Sequence, residues 1–457
     1  MPVDYDLVIL GGTAYARTAA LQAVRYGARV ALVEPPGLFE QRQRQTYLLE
    51  SLQQIGLSLQ RQAVDEQFGL TNGGQLAWPR LLEWGAIAAD TQSAQIAVEA
   101  MSARGVDVVL EAPQRLTRQL ATITKNRHLR ARGVLAAYGK LPTVIETLQR
   151  APKLPSSIKI EGGTPEAIAW ACALNHCGVR ITLIAEGDIL PHEDRDIRRL
   201  VRSRLIASGI NLQTESPAEP PAEHRQLSED TSEKETSQED SSQEDISQED
   251  ISQSEYTLKI ATAPPLLELP SFIKLKTNRR LQTSHPRLFA CGSILGGSTE
   301  ESLGQYEATV ALQNALFVPR INVEYESTLQ TSAQFARIGL TEAQAEKRYG
   351  NALQVFMATG ANATCLNQMS PSPDYCKLIC AGHRLVGVHL LGSGAGDVAQ
   401  GLRSHMGQPI QALNVIATGG LLALVAASAN QAKQRQWQPK QWRRDWAENW
   451  FNWRRSQ

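Results

Sequence analysis

Cysteine is scarce and scattered, six in 457 residues. That excludes a disulfide-stapled scaffold and fits a reducing compartment. No apolar run reaches the ~18 residues of a membrane-spanning helix. The N-terminus, with Asp4 and Asp6 leading straight into a strand-like run, has no signal-peptide pattern. A soluble, cytoplasmic protein is therefore expected. The eight histidines form no ligand spacing, so no metal centre is expected, and no nucleic-acid partner either. With 42% hydrophobic and 20% charged residues, the chain as a whole is neither disordered nor fibrous. Its length predicts about three domains, or two with an appended module.

Net charge is also lacking, at zero, but the balance hides an asymmetry. Residues 215–255 hold fourteen acids against Arg225 and Lys234, a local charge of −12, which leaves +12 on the remainder. A basic body with an acidic tether invites an anionic partner. The acidic stretch repeats itself as Ser237-Gln238-Glu239-Asp240, Ser242-Gln243-Glu244-Asp245 and Ser247-Gln248-Glu249-Asp250. It is polar and has no aromatic residue before Tyr256, so a disordered surface loop is predicted.

Around this insert the pattern is strand–turn–helix–strand, twice. Tyr5–Leu10, Gly11-Gly12-Thr13-Ala14-Tyr15-Ala16, an Ala-rich helix to Tyr26 and Val30–Val33 ending on Glu34 form the first unit. Ile158–Ile160, Gly162-Gly163-Thr164-Pro165-Glu166-Ala167, a helix to His176 and Val179–Ile184 form the second. Gly11/Gly162, Thr13/Thr164, Ala16/Ala167 and Gly27/Gly178 coincide without a gap. Helices are expected at 42–60, 89–104, Tyr306–Leu316, Thr341–Tyr349, Gly394–Ser404 and Leu413–Ala427, and strands at Val106–Leu110, Leu120–Ile123, Val134–Tyr138, Cys376–Cys380 and Leu385–Leu391. The fold class expected is α/β: two Rossmann-like βαβ domains and an α+β C-terminal domain. The expected boundaries are 1–150, 151–285 with the insert, 286–330 returning to the first domain, 331–430 and a tail at 431–457.

A glycine turn between strand and helix lets backbone approach a pyrophosphate, and an acid ending the second strand binds ribose hydroxyls. Gly11, Gly12, Ala14, Tyr15, Ala16 and Glu34 fit that pattern, and Thr13 departs from it by placing a side chain where the central glycine belongs. In the second unit Gly162, Gly163, Thr164, Pro165 and Glu166 repeat the signature. Ala185 stands at the position matching Glu34, and no arginine follows the strand to take a 2′-phosphate. A pyridine nucleotide, a second flavin nucleotide and a ligand-free fold are all left open there.

The order of these blocks resembles the pyridine nucleotide–disulfide oxidoreductases, the mercuric, dihydrolipoamide and glutathione reductases. Val134–Gly139 resembles the strand linking the nucleotide domains. Leu288–Gly292 with Ser293 and Tyr306-Glu307-Ala308 resembles the second FAD motif. Ile338–Glu342, Lys377–Ile379 and Leu385–Gly392 resemble the dimerisation domain. The resemblance implies FAD at Gly11–Ala16, Glu34, Gly139, Gly292 and Ser293, and a homodimer through 331–430. It also implies that a nicotinamide would deliver hydride to a cysteine pair.

The catalytic parts of that family are missing. Pro35–Leu49 has no cysteine where the Cys-x4-Cys pair belongs. Thr418–Ala423 stands where the His-Pro-Thr…Glu base belongs, and Ser293 replaces the aspartate that holds the ribityl chain. Cys172 and Cys177 point ~140° apart on a helix. Cys376 and Cys380 lie roughly 13 Å apart along a strand, and Cys365 could partner either. The expectation is an FAD-dependent oxidoreductase with a non-standard electron path and unknown catalytic residues. It would carry a second FAD, or less favourably NAD(H), in the second site, like the cyanobacterial diflavin-linked disulfide oxidoreductases. Electrons would come from an acidic carrier such as ferredoxin. The alternative is a catalytically degenerate flavin-binding or interaction protein. In the tail, Trp442, Trp446, Trp450 and Trp453 among arginines form an amphipathic stripe that could dock on the protein or lie on a membrane surface.

Overall fold

The structure is a computed structural model. It describes residues 3–67, 76–117, 119–138, 148–149, 151–214, 256–259, 276–295, 301–323, 329–332, 335–360, 373–392, 394–415, 419–437, 450 and 453–455. The acidic insert, Gly139, Cys365, Thr418, Trp442 and Trp446 lie outside these residues.

The first sheet begins with β1 (Tyr5–Leu10), α1 (Ala14–Arg25) and β2 (Val30–Val33). Leu7, Val8, Ile9 and Leu10 are all fully buried, as befits a parallel strand covered on both faces, where apolar residues run on instead of alternating. Next come α2 (Leu38–Gln67), α3 (Trp78–Ser93), α4 (Val98–Ala103) and β3 (Asp107–Val109). The expected helix at 42–60 starts earlier because the Pro35-Pro36-Gly37 turn feeds directly into it, with Gly37 at φ +74. The expected helix at 89–104 is two pieces, since Ala97 is extended (φ −64, ψ 154) between them. Pro79 lies in the first turn of α3, where its missing N–H costs nothing.

β4 (Arg115–Leu116), β5 (Ala121–Ile123) and β6 (His128–Ala136) follow. β6 starts earlier than the expected strand Val134–Tyr138 and stops at Ala136. Its first half pairs with β5 antiparallel, and its second half lies parallel beside β1, with Leu7 opposite Gly133.

The second sheet repeats the first unit: β7 (Ser157–Glu161), α5 (Pro165–His176), β8 (Arg180–Ala185), α6 (Arg195–Ala207), β9 (Asn211–Thr214) and β10 (Tyr256–Lys259). Its strands are parallel in the order β10-β7-β8-β9. The chain then returns to the first sheet as β11 (Leu288–Ala290), parallel to β6, and α7 (Glu301–Leu316), which packs on α1.

The C-terminal part is an antiparallel sheet of order β12-β13-β16-β15-β14. It comprises β12 (Leu329–Ser332), β13 (Phe335–Gly339), α8 (Glu342–Tyr349), β14 (Leu353–Gly360), β15 (Asp374–Ala381), β16 (Arg384–Leu391), α9 (Ala395–Leu402) and α10 (Gly420–Trp437). α8 starts on a capping box in which Thr341 and Gln344 satisfy each other's backbone N–H. The helix expected at Leu413–Ala427 begins only at Gly420, after a single tight turn at Ile410–Ala412. The one expected at Gly394–Ser404 ends at Leu402 and tightens through Arg403–His405. The architecture is thus mixed α/β, with two Rossmann-like sheets and an antiparallel C-terminal sheet.

A buried ionic cluster ties the second sheet to the third. The Lys377 ammonium on β15 meets Asp194 at 3.0 Å, Asp196 at 2.9 Å and Glu342 at 2.6 Å. Arg337 holds Glu193 at 2.8 Å and Arg204 holds Asp374 at 3.1 Å. Burial works against the Lys377 charge, but the bonds to Glu342 and Asp196 outweigh it and hold its pKa above the ordinary value. Among the described residues no helix is long and apolar enough to cross a membrane, and no three His, Cys, Asp or Glu are placed to hold a metal ion.

Candidate functional site

The two glycine turns share their hydrogen bonds. Gly11 N–H donates to Val33 at 2.9 Å and Gly162 N–H to Ile184 at 2.8 Å. Thr13 and Thr164 are both N-caps, accepting from Ala16 N–H at 3.1 Å and Ala167 N–H at 3.2 Å. The threonine that replaces the central glycine is therefore a capping residue in each unit. The Thr13 hydroxyl also donates to Ala137 O at 2.7 Å, so it faces the sheet and makes no contact that a phosphate would need.

The surroundings of the two turns differ. Around the first, Gly11, Gly12 and Thr13 are buried; around the second, Gly162 and Gly163 are half-buried and Thr164 is exposed. Leu38 covers the first turn: a Cβ added at Gly12 (φ +113) would lie 2.5 Å from its Cδ2.

Tyr15 lies in the gap between this turn and the second motif. A Cβ at Gly292 would meet its hydroxyl at 2.3 Å, and one at Gly304 would meet its ring at 2.7 Å. The ring is 5% exposed. Its hydroxyl faces the Thr13 and Ser293 side chains without completing a hydrogen bond of ordinary geometry, and burial pushes its pKa up to about 12. Gly292 N–H donates to the buried Glu307 carboxylate at 2.7 Å.

Glu34, expected to receive ribose hydroxyls, is 1% exposed and is held by Arg17, itself 1% exposed. Arg17 Nε donates to Glu34 Oε1 at 3.1 Å, its second terminal nitrogen bonds Glu34 and also Glu40 at 3.0 Å, and the first reaches Ile96 O at 3.0 Å. The guanidinium lies 3.6 Å over the Phe39 ring, a cation–π contact. Burial raises the Glu34 pKa and Arg17 opposes that rise. Arg17 escaped the sequence analysis. Its signal was a charged residue within the Ala-rich run of α1, next to Ala16, with acids 17 and 23 residues further on at Glu34 and Glu40.

Among the described residues, three features of the first turn differ from those that the sequence resemblance implies for an FAD site. A dinucleotide needs bare backbone at the turn, space beyond it and an accessible carboxylate. Here Leu38 packs on Gly12, the Tyr15 ring packs on Gly292 and Gly304, and the carboxylate is buried and held through Oε1 by Arg17. Gly139, expected at the same site, lies outside the described residues.

The second turn is open but poorly equipped. Pro165 removes one N–H from the first helical turn, and Glu166 places negative charge where a phosphate would be favoured. Ala185, at the ribose position, is 1% exposed, and Glu186 beside it is exposed. Asp188, in the loop packed on Gly163, is engaged by Arg198 at 2.6 Å and Arg202 at 2.8 Å.

The described cysteines are free thiols. Burial pushes Cys172, Cys376 and Cys380 up to about 12 and Cys177 up to about 11, and raises Cys291 well above the ordinary thiol value. A thiol so shifted carries almost no thiolate at neutral pH. Cys172 and Cys177 pack in the core of the second domain, Cys376 and Cys380 in that of the third.

Comparison with known proteins places this architecture. Residues 5–315 match the family described as pyridine nucleotide-disulphide oxidoreductase, and residues 325–419 match the dimerisation domain of the same family. A dihydrolipoyl dehydrogenase of Bacillus subtilis (strain 168) is 24% identical over 434 residues, covering 87% of this chain and 90% of that protein. The dihydrolipoyl dehydrogenase of Acholeplasma laidlawii is 25% identical, covering 71% of this chain and 100% of that protein. A mercuric reductase of Lysinibacillus sphaericus is 23% identical, covering 86% and 76%. The chain belongs to the pyridine nucleotide–disulphide oxidoreductases, a family of FAD-binding oxidoreductases.

Proposed function

We propose that this chain is a homodimeric, catalytically degenerate member of its family that acts as an interaction protein on the reductase scaffold. The observation that carries this is the Glu34 carboxylate, 1% exposed and held by Arg17 through Oε1. A scaffold kept for its surfaces can keep its sheets and lose its chemistry. The high thiol pKa values agree, because a dithiol relay starts from a thiolate. The +12 body suits an acidic protein partner. The test is turnover: the purified chain, with and without added FAD, is given NADH, NADPH or a dithiol together with an aromatic disulfide. The expected rate equals the buffer rate, and catalytic disulfide reduction would refute the proposal.

The second reading is an FAD-dependent oxidoreductase with an altered electron path, taking electrons from an acidic carrier such as ferredoxin. The half-buried Gly162-Gly163 turn with exposed Thr164 favours it, since a second flavin nucleotide would have access there. It predicts a yellow protein with two flavins per chain, bleached by a reduced carrier. Membrane-surface contact by the tail belongs to either reading, and the exposed Trp450 and Trp453, rings 5.2 Å apart, support it.

A further inference from the structure

We infer that Tyr15, Leu38 and the Arg17–Glu34 pair form an internal plug that takes the place of a dinucleotide, so that the first domain is complete without a cofactor. The inference rests on the closed first turn that also underlies the function proposed above, and it goes further by assigning the closure to particular side chains.

Each part replaces one requirement of the missing ligand. The Tyr15 phenol spans from the turn to Gly292 and Gly304, and both neighbours have to be glycine, because a Cβ on either would fall within 2.7 Å of its atoms. Arg17 gives Glu34 the donors that ribose hydroxyls would otherwise supply, and no water has to follow the carboxylate into the protein. Leu38 lies over Gly12 where the backbone would face a phosphate. Phe39 supports the guanidinium from below at 3.6 Å. Tyr15 and Arg17 come from the first turn of α1, Leu38 and Phe39 from the first turn of α2, and Glu34 directly follows β2. Five residues from three adjoining segments thus close the crevice at the carboxyl ends of β1 and β2, the place where an open α/β sheet takes its ligand.

The test uses the full chain as wild type, Y15F and Y15G/R17S, each analysed for flavin released on denaturation and for the shift of its unfolding temperature by FAD. Wild type and Y15F should be flavin-free and unmoved by FAD. Y15G/R17S should gain FAD binding seen as a rise of several degrees, the linkage expected at ligand well above Kd. Stoichiometric flavin in wild type overturns the inference, and so does a rise in wild type equal to that of the opened variant. Should Y15G/R17S not fold, Y15A decides: p-cresol, the missing side chain as a free molecule, should raise its unfolding temperature and leave wild type unmoved, whereas no effect on Y15A overturns the plug. The two proposals fail separately. Flavin in a wild type that turns nothing over sinks the plug alone, and disulfide reduction by a flavin-free wild type sinks the functional proposal alone.

Discussion

The substitution R17M tests the closed turn energetically. It removes a guanidinium that makes bonds to Glu34, Glu40 and Ile96 O and stacks on Phe39. Glu40 is 42% exposed, so its bond is a surface pair contributing at most ~1 kcal/mol. Glu34 is the larger loss: at 1% exposure it would be left as an uncompensated buried carboxylate, which typically costs about 3–5 kcal/mol. The loss should depend on pH, since burial already raises the Glu34 pKa, and without Arg17 opposing it the carboxyl would protonate at still higher pH. Acid should therefore relieve R17M relative to wild type. The double variant R17M/E34L removes the orphaned charge and should recover most of the loss, since apolar replacement of a buried pair is often neutral or better. Equilibrium urea unfolding of wild type, R17M, E34L and the double variant completes the cycle. An R17M protein within ~0.5 kcal/mol of wild type, the scatter of ordinary surface substitutions, would show that Glu34 has another partner and that its burial by Arg17 is incidental.

Three further outcomes follow from the same structure. K377M should cost about 3 kcal/mol, the low end for a broken buried pair because Asp196 and Glu342 are 35% and 45% exposed and can reach water; urea midpoints measure it, and an unchanged midpoint would mean the cluster does not tie the sheets. His389, fully buried with Asp194, Arg337 and Lys377 around it, has its pKa lowered from 6.5 to about 4 by burial. Below pH 6.5 the unfolded chain takes a proton that the folded chain refuses, so this stability is present above 6.5 and is lost as pH falls through about 4. H389Q should flatten that acid limb by an amount on the order of 3 kcal/mol, and a limb as steep as wild type would refute the assignment. Alkylation of the native protein followed by peptide mapping should leave Cys172, Cys291, Cys376 and Cys380 unmodified, and rapid labelling of any of them would contradict their burial.

The fold was legible where periodicity and punctuation agree. β1, β2 and the doubled Gly-Gly-Thr turns carry continuous apolar strands, a cap and a glycine at Gly27 and Gly178, and the positions registered in sequence make the same hydrogen bonds. Helix ends were less legible, because tertiary packing sets them: α2 runs on from Pro35-Pro36-Gly37, and α10 begins only at Gly420. The thiols of Cys172, Cys376 and Cys380 lie in cores, while Cys177, just past the end of α5, is half-buried against one. The site was legible as a location but not as a state. Glu34 at the end of β2 reads as a ribose ligand until the side chain facing it is known, and that side chain comes from a helix position one residue beyond the motif. Spacing alone does not tell whether an acid is offered to solvent or already paired.

That distinction explains how the two turns could diverge while keeping one backbone. In both, the threonine cap and the strand-to-strand hydrogen bonds hold the turn by contacts internal to the protein, so neither needs a phosphate to form. A ligand contributes to such a domain only what its own surroundings lack, and around the first turn Tyr15 and Arg17 leave little lacking. Around the second, Pro165 and Glu166 weaken the electrostatic welcome without filling the space. The first turn is closed by volume and the second disfavoured by charge. The second offers a single-residue test: E166Q removes a negative charge from the first turn of α5. If Gly162–Thr164 still has the reach to hold an anion, E166Q should show saturable ADP or pyrophosphate binding that weakens steeply with salt and that wild type lacks. Equal binding by both, or by neither, would mean that Glu166 does not set the affinity of this turn.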